Sequence, residues 1–527
     1  MRVLLADGLA DEGLRRLKDA GEVVVRSGLA EDELAKVLPE FDAIVVRSRT
    51  KVTGRALNGA GRLRVIGRAG VGVDNIDVDA ATHRGILVLN APESSTIAAA
   101  EHTMAMMLAL VRHIPQAHAA LTGGTWAREK YVGTELSGKT LGIAGLGKIG
   151  SEVARRALAF GMRVLAFDPY VTEERARRLG VELGTWETVL KNCDVLTLHV
   201  PLAQDTKALV GAPEMAMMRP GALLINCARG GLVDEAALRE ALDREALGGA
   251  ALDVFAHEPP ARDHPLLSHA RVIVTPHLGG STFEAQRSIA LDIAEQVLAA
   301  LRGEPVHGAV NAPALGEETW QRLNPFMELS RTLGSLTQQL AVGQFSAITM
   351  AYEGDVSRLD TKPLTASFLA GLLRNISDQP VNLVNSVVLA KERGLRVSEA
   401  HSDLCEDFIS QITAEVQMSQ GSLVLAGTLF GHREPRITRI NQWRLDLVPA
   451  PHMLFIWNED RPGMIGQVGT VLGRHHVNIA NMHVGRRDAG GTALMVLTLD
   501  APAPPDVIHE IGAAQGIAQI KSIRLSG

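Results

Sequence analysis

The chain has 527 residues, several times the ~150 of an average domain, so we expect three or four domains. Hydrophobic residues make up 46% of the chain, charged residues 21%, and the formal net charge is −6. This balance argues against the strongly basic surface that nucleic acid or an anionic membrane would favour, so neither partner is expected.

Residues 1–90 alternate short β-rich runs with helical segments, which is typical of a parallel sheet covered by helices. The runs are RVLLAD, EVVVRS, DAIVVRS, RVIGRAG and GILVLN. The next segment, rich in Ala, Met and Leu, predicts one long helix from about Thr96 to Leu121. A helix of this length suits a crossing between domains or a contact between subunits.

From Lys139 a second series of apolar runs alternates with helical segments. Its six runs are TLGIAG, RVLAFD, DVLTLHV, ALLINC, AALDVF and RVIVTP. This pattern predicts an α/β fold with a doubly wound sheet. A helix after Thr282 is predicted to return to the first domain, and residues 311–315 are predicted to end it.

The last two hundred residues have a different character. Residues 317–450 mix helical and β patterns, whereas the final segment has the order β-α-β-β-α-β of a ferredoxin-like unit. The fold class is therefore α/β, with a flavodoxin-like domain and a Rossmann domain followed by an α+β domain and a ferredoxin-like domain. The predicted domains are residues 1–97 with 284–315, residues 98–283, residues 316–451 and residues 452–527.

The first strong motif is GLGKIG, in which Gly145, Gly147 and Gly150 close a strand and open a helix. Such glycines allow a tight turn, a close approach of backbone to a pyrophosphate, and contact between helix and strand. The next strand ends at Asp168, where a carboxylate would accept a hydrogen bond from a ribose hydroxyl and repel a 2′-phosphate. The motif therefore predicts a dinucleotide site that favours NAD over NADP.

Three later strands are each followed by a residue suited to the oxidation of a hydroxy acid. These residues are Arg229, Glu258 and His277. Because ligands of doubly wound sheets bind beyond the carboxyl ends of the strands, we expect the three side chains to meet there. His277 would be the general base, and Arg229 would bind a carboxylate and polarise the C2 oxygen.

Five motifs carry a resemblance to a known family: GRAGVGVDNID, GTELSGKTLGIAGLGKIG, NCARGGLVDEAAL, GAALDVFAHEPP and TPHLGGSTFEAQ. They resemble the D-isomer-specific 2-hydroxyacid dehydrogenases and, within them, the long D-3-phosphoglycerate dehydrogenases. The resemblance covers essentially the whole chain. It implies NAD-dependent oxidation of D-3-phosphoglycerate to 3-phosphohydroxypyruvate, the first step of L-serine synthesis. It also implies that Arg229, Glu258 and His277 are catalytic, with Glu258 pairing with His277.

The residues of the binding sites are predicted partly from the resemblance and partly from their charge and position. Cofactor contacts are expected at Gly145, Gly147, Lys148, Ile149, Gly150, Asp168, Val200, Cys227, Ala228, Arg229, Asp253, His277, Gly279 and Gly280. Substrate contacts are expected from a cationic loop, from backbone N–H groups of GRAGVG, and from two further side chains: Arg47, Arg49, Lys51, Gly70, Val71, Asn90 and Arg128. Arg128 would reach the site of a neighbouring subunit in a homodimer or homotetramer.

The final segment, with NEDRPGMIGQVGTVLGRHHVNIANMHVGR, resembles an ACT domain, a module that binds amino acids. The resemblance implies L-serine as effector, with Asp460 and Asn478 as its contacts. Two alternatives stay open. One is a hydroxypyruvate or glyoxylate reductase, or another D-2-hydroxyacid dehydrogenase; the other is an NAD-sensing binding protein of the corepressor type.

Cysteine usage and the N-terminus bear on location. Cys193, Cys227 and Cys405 lie far apart without metal-ligand spacing, which is typical of a reducing compartment and predicts no metal site. The N-terminus has no cleavage-site pattern, and no apolar run reaches the ~18 residues that a membrane span needs. We therefore expect a cytoplasmic protein.

Overall fold

A computed structural model of the chain describes residues 1–377, 379–431, 433–486 and 490–525, which form four sheets. The predicted end of the last domain, residue 527, lies outside the described residues. The predicted α/β class with two further α+β units is confirmed. No helix in the described part of the chain is long and apolar enough to cross a membrane.

The first sheet is parallel, with the order β2-β1-β3-β4-β5. Its strands are nearly continuous runs of Val, Ile and Leu because helices cover both faces. Its elements are β1 (Arg2–Leu5), α1 (Asp11–Ala20), β2 (Glu22–Val25), α2 (Glu31–Val37), β3 (Ala43–Val46), β4 (Val65–Arg68), α3 (Val78–His83) and β5 (Leu87–Leu89).

The connection between the first two sheets corrects one prediction. The single helix expected from Thr96 to Leu121 is two helices, α4 (Thr96–Val111) and α5 (Ile114–Thr122). His113 breaks the helix with a left-handed backbone (φ 54°), and Pro115 lies in the first turn of α5, where its missing N–H costs nothing.

The second sheet is also parallel, with the order β12-β11-β10-β9-β6-β7-β8. Six strands were predicted and the seventh, β8, has two residues, too few to leave a hydrophobic pattern. Because the strand order reverses between β6 and β9, a crevice opens there beyond the carboxyl ends. The elements are β6 (Thr140–Ala144), α6 (Lys148–Ala159), β7 (Arg163–Phe167), α7 (Glu173–Arg178), β8 (Glu182–Leu183), α8 (Trp186–Asn192), β9 (Val195–Leu198), α9 (Ala212–Met217), β10 (Ala222–Asn226), α10 (Glu235–Asp243), β11 (Leu247–Leu252) and β12 (Val272–Val274).

The long helix α11 (Phe283–Arg302) returns to the first sheet, as predicted. Ile289, Ile293 and Val297 are buried in the same cluster as residues of β1 and β3. Gly67 in β4 allows this approach, because a Cβ atom there would lie 2.7 Å from a methyl group of Val297.

The third sheet is mixed, with the order β14-β13-β15-β16-β17-β18; β13 and β14 are parallel and the other pairs antiparallel. Its elements are α12 (Glu317–Leu340), β13 (Phe345–Gly354), α13 (Lys362–Leu373), α14 (Ser386–Glu392), β14 (Arg396–Ser402), β15 (Ser410–Met418), β16 (Gly421–Phe430), β17 (Glu434–Ile440) and β18 (Trp443–Leu447).

The fourth sheet has the ferredoxin-like order β20-β21-β19-β22, with antiparallel pairs. One face shares a hydrophobic core with α12 and the third sheet, while α15 and α16 cover the other. The predicted β-α-β-β-α-β order is confirmed: β19 (His452–Glu459), α15 (Met464–Arg474), β20 (Ile479–Arg486), β21 (Thr492–Leu499), α16 (Pro505–Gly512) and β22 (Ile517–Arg524). The exact domain limits stay predictions.

Candidate active site

The turn between β6 and α6 has the shape that a dinucleotide phosphate requires. Gly145 has a left-handed backbone (φ 90°), and a Cβ atom on Gly150 would lie 2.0 Å from the carbonyl oxygen of Gly145. Around Gly147 nothing in the described part of the chain lies within 4 Å of the Cβ position, so the backbone there is open to a ligand. Because α6 begins at Lys148, its unpaired N–H groups and positive dipole end point at this turn. The residues present fit NAD.

Asp168 follows β7 directly, at the edge of the same turn. Its carboxylate accepts hydrogen bonds from the backbone N–H of Leu146 (2.8 Å) and of Tyr170 (2.9 Å). The carboxylate is thereby fixed beside the glycine turn, where it can accept a ribose hydroxyl. A 2′-phosphate at this position would meet a fixed negative charge.

Lys148 was predicted to contact the cofactor, and the structure pairs its ammonium group with Glu93. Glu93 belongs to the loop after β5, so this ion pair spans the two domains at the entrance of the crevice. Both side chains are exposed, and an exposed pair of this kind contributes little stability. Lys148 can therefore exchange Glu93 for a phosphate at small cost.

The predicted catalytic residues Glu258 and His277 do meet. The Nδ1 atom of His277 lies 2.7 Å from a carboxylate oxygen of Glu258. The other Glu258 oxygen accepts a hydrogen bond from the backbone N–H of Phe255 (3.1 Å). Partial burial raises the pKa of the Glu258 carboxyl, but the hydrogen bonds from His277 and Phe255 outweigh it and hold that pKa below its usual range. The ring is thus oriented with Nε2 left for another partner.

Arg229 reaches from the end of β10 toward the first domain. Its Nε donates to Asp74 (3.1 Å), and its backbone carbonyl accepts a hydrogen bond from Asn226 (2.8 Å). The next residue, Gly230, presses on the turn that carries Glu258, since a Cβ atom there would lie 1.9 Å from the carbonyl carbon of Phe255. The loops of Arg229 and Glu258 are therefore in direct contact.

The GRAGVG loop holds a residue that the sequence reasoning missed, Arg68. Its guanidinium group occupies the space above Gly70, where a Cβ atom would lie 1.4 Å from Nη1, and Arg229 occupies the same kind of space at Gly72. Burial first, and then the charge of Arg229, lower the pKa of Arg68 to about 10. The Nε atom of Arg68 is buried and has no hydrogen-bond partner among the described residues. The sequence signal was its place inside a motif that was interpreted only for its backbone.

Of the other predicted substrate side chains, those of Arg47 and Asn90 are half-buried and the rest are exposed. Arg47 is half-buried near Arg68, and its loop is held by buried Asp7, which accepts the N–H of Arg47 (2.6 Å). Asn90 donates to the carbonyl oxygen of Val71 (2.6 Å), so its side chain supports the GRAGVG loop. The side chains of Arg49, Lys51 and Arg128 are exposed.

The remaining predicted cofactor residues line the carboxyl edge of the second sheet. Asp253, however, is fully buried, and its carboxylate accepts the N–H groups of Leu278 (2.7 Å) and Gly279 (2.8 Å) beneath the His277 loop. The residues that are half-buried along the edge are Ile149, Val200, Cys227, Ala228 and Gly280.

The predicted effector residues lie next to the ends of strands of the fourth sheet. Asp460 follows β19, and its carboxylate accepts the N–H of Gly490 (3.3 Å) and pairs with Arg486 (3.6 Å). Asn478 precedes β20 and donates to Asp500 (2.7 Å). Both predicted contacts are therefore held in defined positions at the ends of strands.

Comparisons with known proteins agree with this geometry. Residues 104–279 match the NAD-binding domain of the D-isomer specific 2-hydroxyacid dehydrogenases, residues 322–441 the D-3-phosphoglycerate dehydrogenase intervening domain, and residues 452–514 the ACT domain. The D-3-phosphoglycerate dehydrogenase of Bacillus subtilis is 44% identical over 99% of this chain and 99% of its own. That of Archaeoglobus fulgidus is 41% identical over 100% of both chains.

The chain belongs to the D-3-phosphoglycerate dehydrogenase family. Like its family, it is an NAD-binding dehydrogenase. Among solved structures, a protein of Thermus thermophilus is 37% identical with a TM-score of 0.55, covering 59% of this chain and 100% of that one. A D-lactate dehydrogenase of Aquifex aeolicus, complexed with NAD and lactic acid, is 30% identical with a TM-score of 0.52, over 58% of this chain and 96% of that one.

We propose that Asp168 makes the enzyme prefer NAD to NADP. Its negative charge and its two backbone hydrogen bonds can be removed separately by substitution. Asp168→Ala loses the charge and both backbone hydrogen bonds, whereas Asp168→Asn loses the charge and keeps an acceptor oxygen. Both variants should lower the ratio of kcat/KM for NAD to that for NADP, by about 10-fold or more. The surface variant Asp205→Asn serves as control. An unchanged ratio in both variants would contradict the assignment.

Proposed function

We propose that this chain oxidises D-3-phosphoglycerate to 3-phosphohydroxypyruvate with NAD, the first step of L-serine synthesis. The observation that carries the proposal is the His277–Glu258 pair, in which Nδ1 lies 2.7 Å from a carboxylate oxygen. The loop of Glu258 is also in contact with the loop of Arg229. The names of the full-length relatives support the substrate. The similar solved structures cover 58–59% of this chain, so the C-terminal tail is additional to the shared part. Residues 322–441 of that tail match the D-3-phosphoglycerate dehydrogenase intervening domain, which further supports the substrate.

The chemistry divides between the cofactor and the side chains. NAD supplies the acceptor for the hydride that leaves C2 of the substrate. The hydroxyl proton passes to Nε2 of His277, because Nδ1 is already bonded to Glu258. The Glu258 carboxylate then stabilises the imidazolium that forms. Arg229 binds the substrate carboxylate and stabilises negative charge on the C2 oxygen as the proton leaves.

The substrate phosphate fits the cationic end of the crevice. The charges of Arg229 and Arg47 both act on Arg68, and so do the carboxylates of Asp74 and Asp7. Arg68 is half-buried: its Nη1 donates to the carbonyl oxygen of Ala69 (3.2 Å), and its buried Nε donor has no partner within the described ranges. A half-buried cation next to two others is destabilising until an anion binds, so we propose that Arg68 and Arg47 receive the phosphate.

We further propose a homo-oligomer, dimer or tetramer, in a reducing cytoplasm. Large apolar side chains are exposed in one segment around Arg128, among them Leu121, Trp126 and Val132. Arg128 is exposed in this segment, and we propose that it contacts the substrate in the cleft of the partner subunit. Cys193, Cys227 and Cys405 are free thiols, which supports the compartment.

Two alternatives have specific discriminators. A hydroxypyruvate or glyoxylate reductase would use unphosphorylated substrates with equal or better efficiency. A binding protein of the corepressor type would bind NADH without oxidising it when 3-phosphohydroxypyruvate is added. NADH absorbance with purified full-length protein and both classes of substrate separates the three functions.

The role of His277 has a direct test. His277→Ala should lower kcat by about 10²–10⁴-fold, because the hydroxyl proton loses its acceptor. NADH affinity, measured by fluorescence, should stay within about threefold, since the glycine turn is intact. His509→Ala, an exposed histidine in α16, is the control. Turnover near that of the control would remove His277 from the mechanism.

Phosphate recognition by Arg68 can be separated from catalysis. Arg68→Gln should reduce kcat/KM for 3-phosphohydroxypyruvate by about 10–100-fold, the range for one hydrogen-bonded charge, and affect hydroxypyruvate much less. Arg55→Gln, which removes an exposed arginine of the same domain, controls for net charge. An equal loss for both substrates would show that Arg68 does not contact the phosphate.

We propose that the ACT domain binds L-serine through Asp460 and Asn478 and that serine inhibits the enzyme. A serine titration of the steady-state rate should give inhibition in the wild type. Asp460→Ala should raise the half-inhibiting concentration about 10-fold or more without changing kcat, because the serine ammonium group loses a carboxylate. Asp506→Ala in α16 is the control. Equal inhibition of all three proteins would place the serine site elsewhere.

A further inference from the structure

A second histidine–carboxylate pair lies behind the catalytic one. His102, in α4, has its Nε2 atom 3.2 Å from a carboxylate oxygen of Asp253 and 3.2 Å from the hydroxyl oxygen of Thr275. Thr275 donates that hydroxyl to the same Asp253 oxygen (2.6 Å). The side chain of His102 is 19% exposed and that of Asp253 is 0% exposed. The pair is therefore an interior feature of the protein.

Asp253 is the anchor of the loop that carries His277. Its carboxylate accepts the backbone N–H groups of Leu278 and Gly279, and its carbonyl oxygen accepts the N–H of His277 (2.9 Å). His277 itself has a left-handed backbone, with φ of 55°. A residue other than glycine adopts this conformation only where its surroundings hold it there. Asp253 stabilises this conformation through its carbonyl oxygen, bonded to His277 itself, and through its carboxylate, bonded to the two residues that follow.

His102 is linked to Asp253 through Thr275: its Nε2 atom is hydrogen-bonded to the Thr275 hydroxyl oxygen, and that hydroxyl donates to Asp253. Burial raises the pKa of the Asp253 carboxyl, but His102, Thr275 and Leu278 together outweigh it and hold that pKa below its usual range. An ionised carboxylate accepts hydrogen bonds more strongly than a neutral carboxyl group. The donor from α4 also fixes which way the carboxylate faces, and through it the position of the loop.

We propose that His102 is a positioning residue for proton transfer: through Asp253 it holds His277 where its Nε2 atom can reach the substrate hydroxyl. This inference rests on the proposed function. It also ties the catalytic loop to α4, which begins at Thr96 directly after the connection from the first domain. Ser95, the residue before α4, lies 3.4 Å from the Cβ position of Gly280 in the same loop.

The test compares three substitutions that differ in reach. His102→Leu removes the donor and keeps the volume, and His102→Asn carries an amide too short to reach Asp253. His102→Gln places an amide nitrogen near the position of Nε2. The measurements are kcat, the KM for 3-phosphohydroxypyruvate, the Kd of NADH by fluorescence, and the midpoint of thermal unfolding.

We expect His102→Leu and His102→Asn to lower kcat by about 10–100-fold, while KM and the NADH Kd change by less than about threefold. His102→Gln should recover kcat to within about fivefold of the wild type, because a donor is restored. Unchanged kcat in His102→Leu would overturn the proposal. So would an equal loss in all three variants that follows the thermal midpoint, since that pattern indicates only a structural role.

A double-mutant cycle tests whether His102 acts through Asp253. Once Asp253→Asn is present, adding His102→Leu should change kcat by less than about twofold, because the two residues act as a unit. Additive losses would overturn the proposed route. The wild-type rate is measured first: an inactive wild type refutes the proposed function, whereas an active wild type with normal His102 variants refutes this inference alone.

Discussion

The active site depends on one buried charge, the carboxylate of Asp253. A carboxylate that is fully buried is stable only when its oxygens are hydrogen-bonded, and here the donors are two backbone N–H groups and the hydroxyl of Thr275, which is itself hydrogen-bonded to His102. The donors come from the segment after β12, and His102 comes from α4. Satisfying Asp253 therefore fixes the loop, and the loop fixes His277 at its left-handed backbone. The apolar core alone could not impose such a directional constraint.

On the other side of the crevice the positive charge of Arg68 is only partly compensated, in contrast to the hydrogen-bonded carboxylate of Asp253. Arg68 is half-buried next to Arg229, with Gly70 and Gly72 making room for the two guanidinium groups. The repulsion between them is a cost to the unliganded protein that an anionic ligand removes. Rigid acceptors around His277 and a concentration of positive charge around Arg68 give the crevice two ends with different chemistry, one for the proton and one for the anion.

The sequence predicted those features that sit at the ends of strands, since a change from apolar run to polar residue marks them directly. Arg229, Glu258 and His277 were predicted in this way, and the structure brings Glu258 and His277 together. Gly145 and Gly150 were predicted from the spacing of the glycines in GLGKIG. Arg68 and His102 were missed for a physical reason. Their importance depends on burial and on partners far away in sequence, and neither leaves a pattern in the residues nearby. The break at His113 was missed because Pro115 is as compatible with a first turn as with a loop.

Polar contacts join the two domains of the tail to each other and join the intervening domain to the first domain. Lys521 of β22 donates to the last carbonyl group of α12 (2.6 Å), where a helix dipole favours a cation. Asn382, before α14, donates to the carbonyl oxygen of Gly85 (2.7 Å), in the turn that leads into β5. The strand β5 ends one residue before Asn90, whose side chain holds the GRAGVG loop. The intervening domain is thus in direct polar contact with the turn before β5, and β5 leads to the residue that supports the GRAGVG loop.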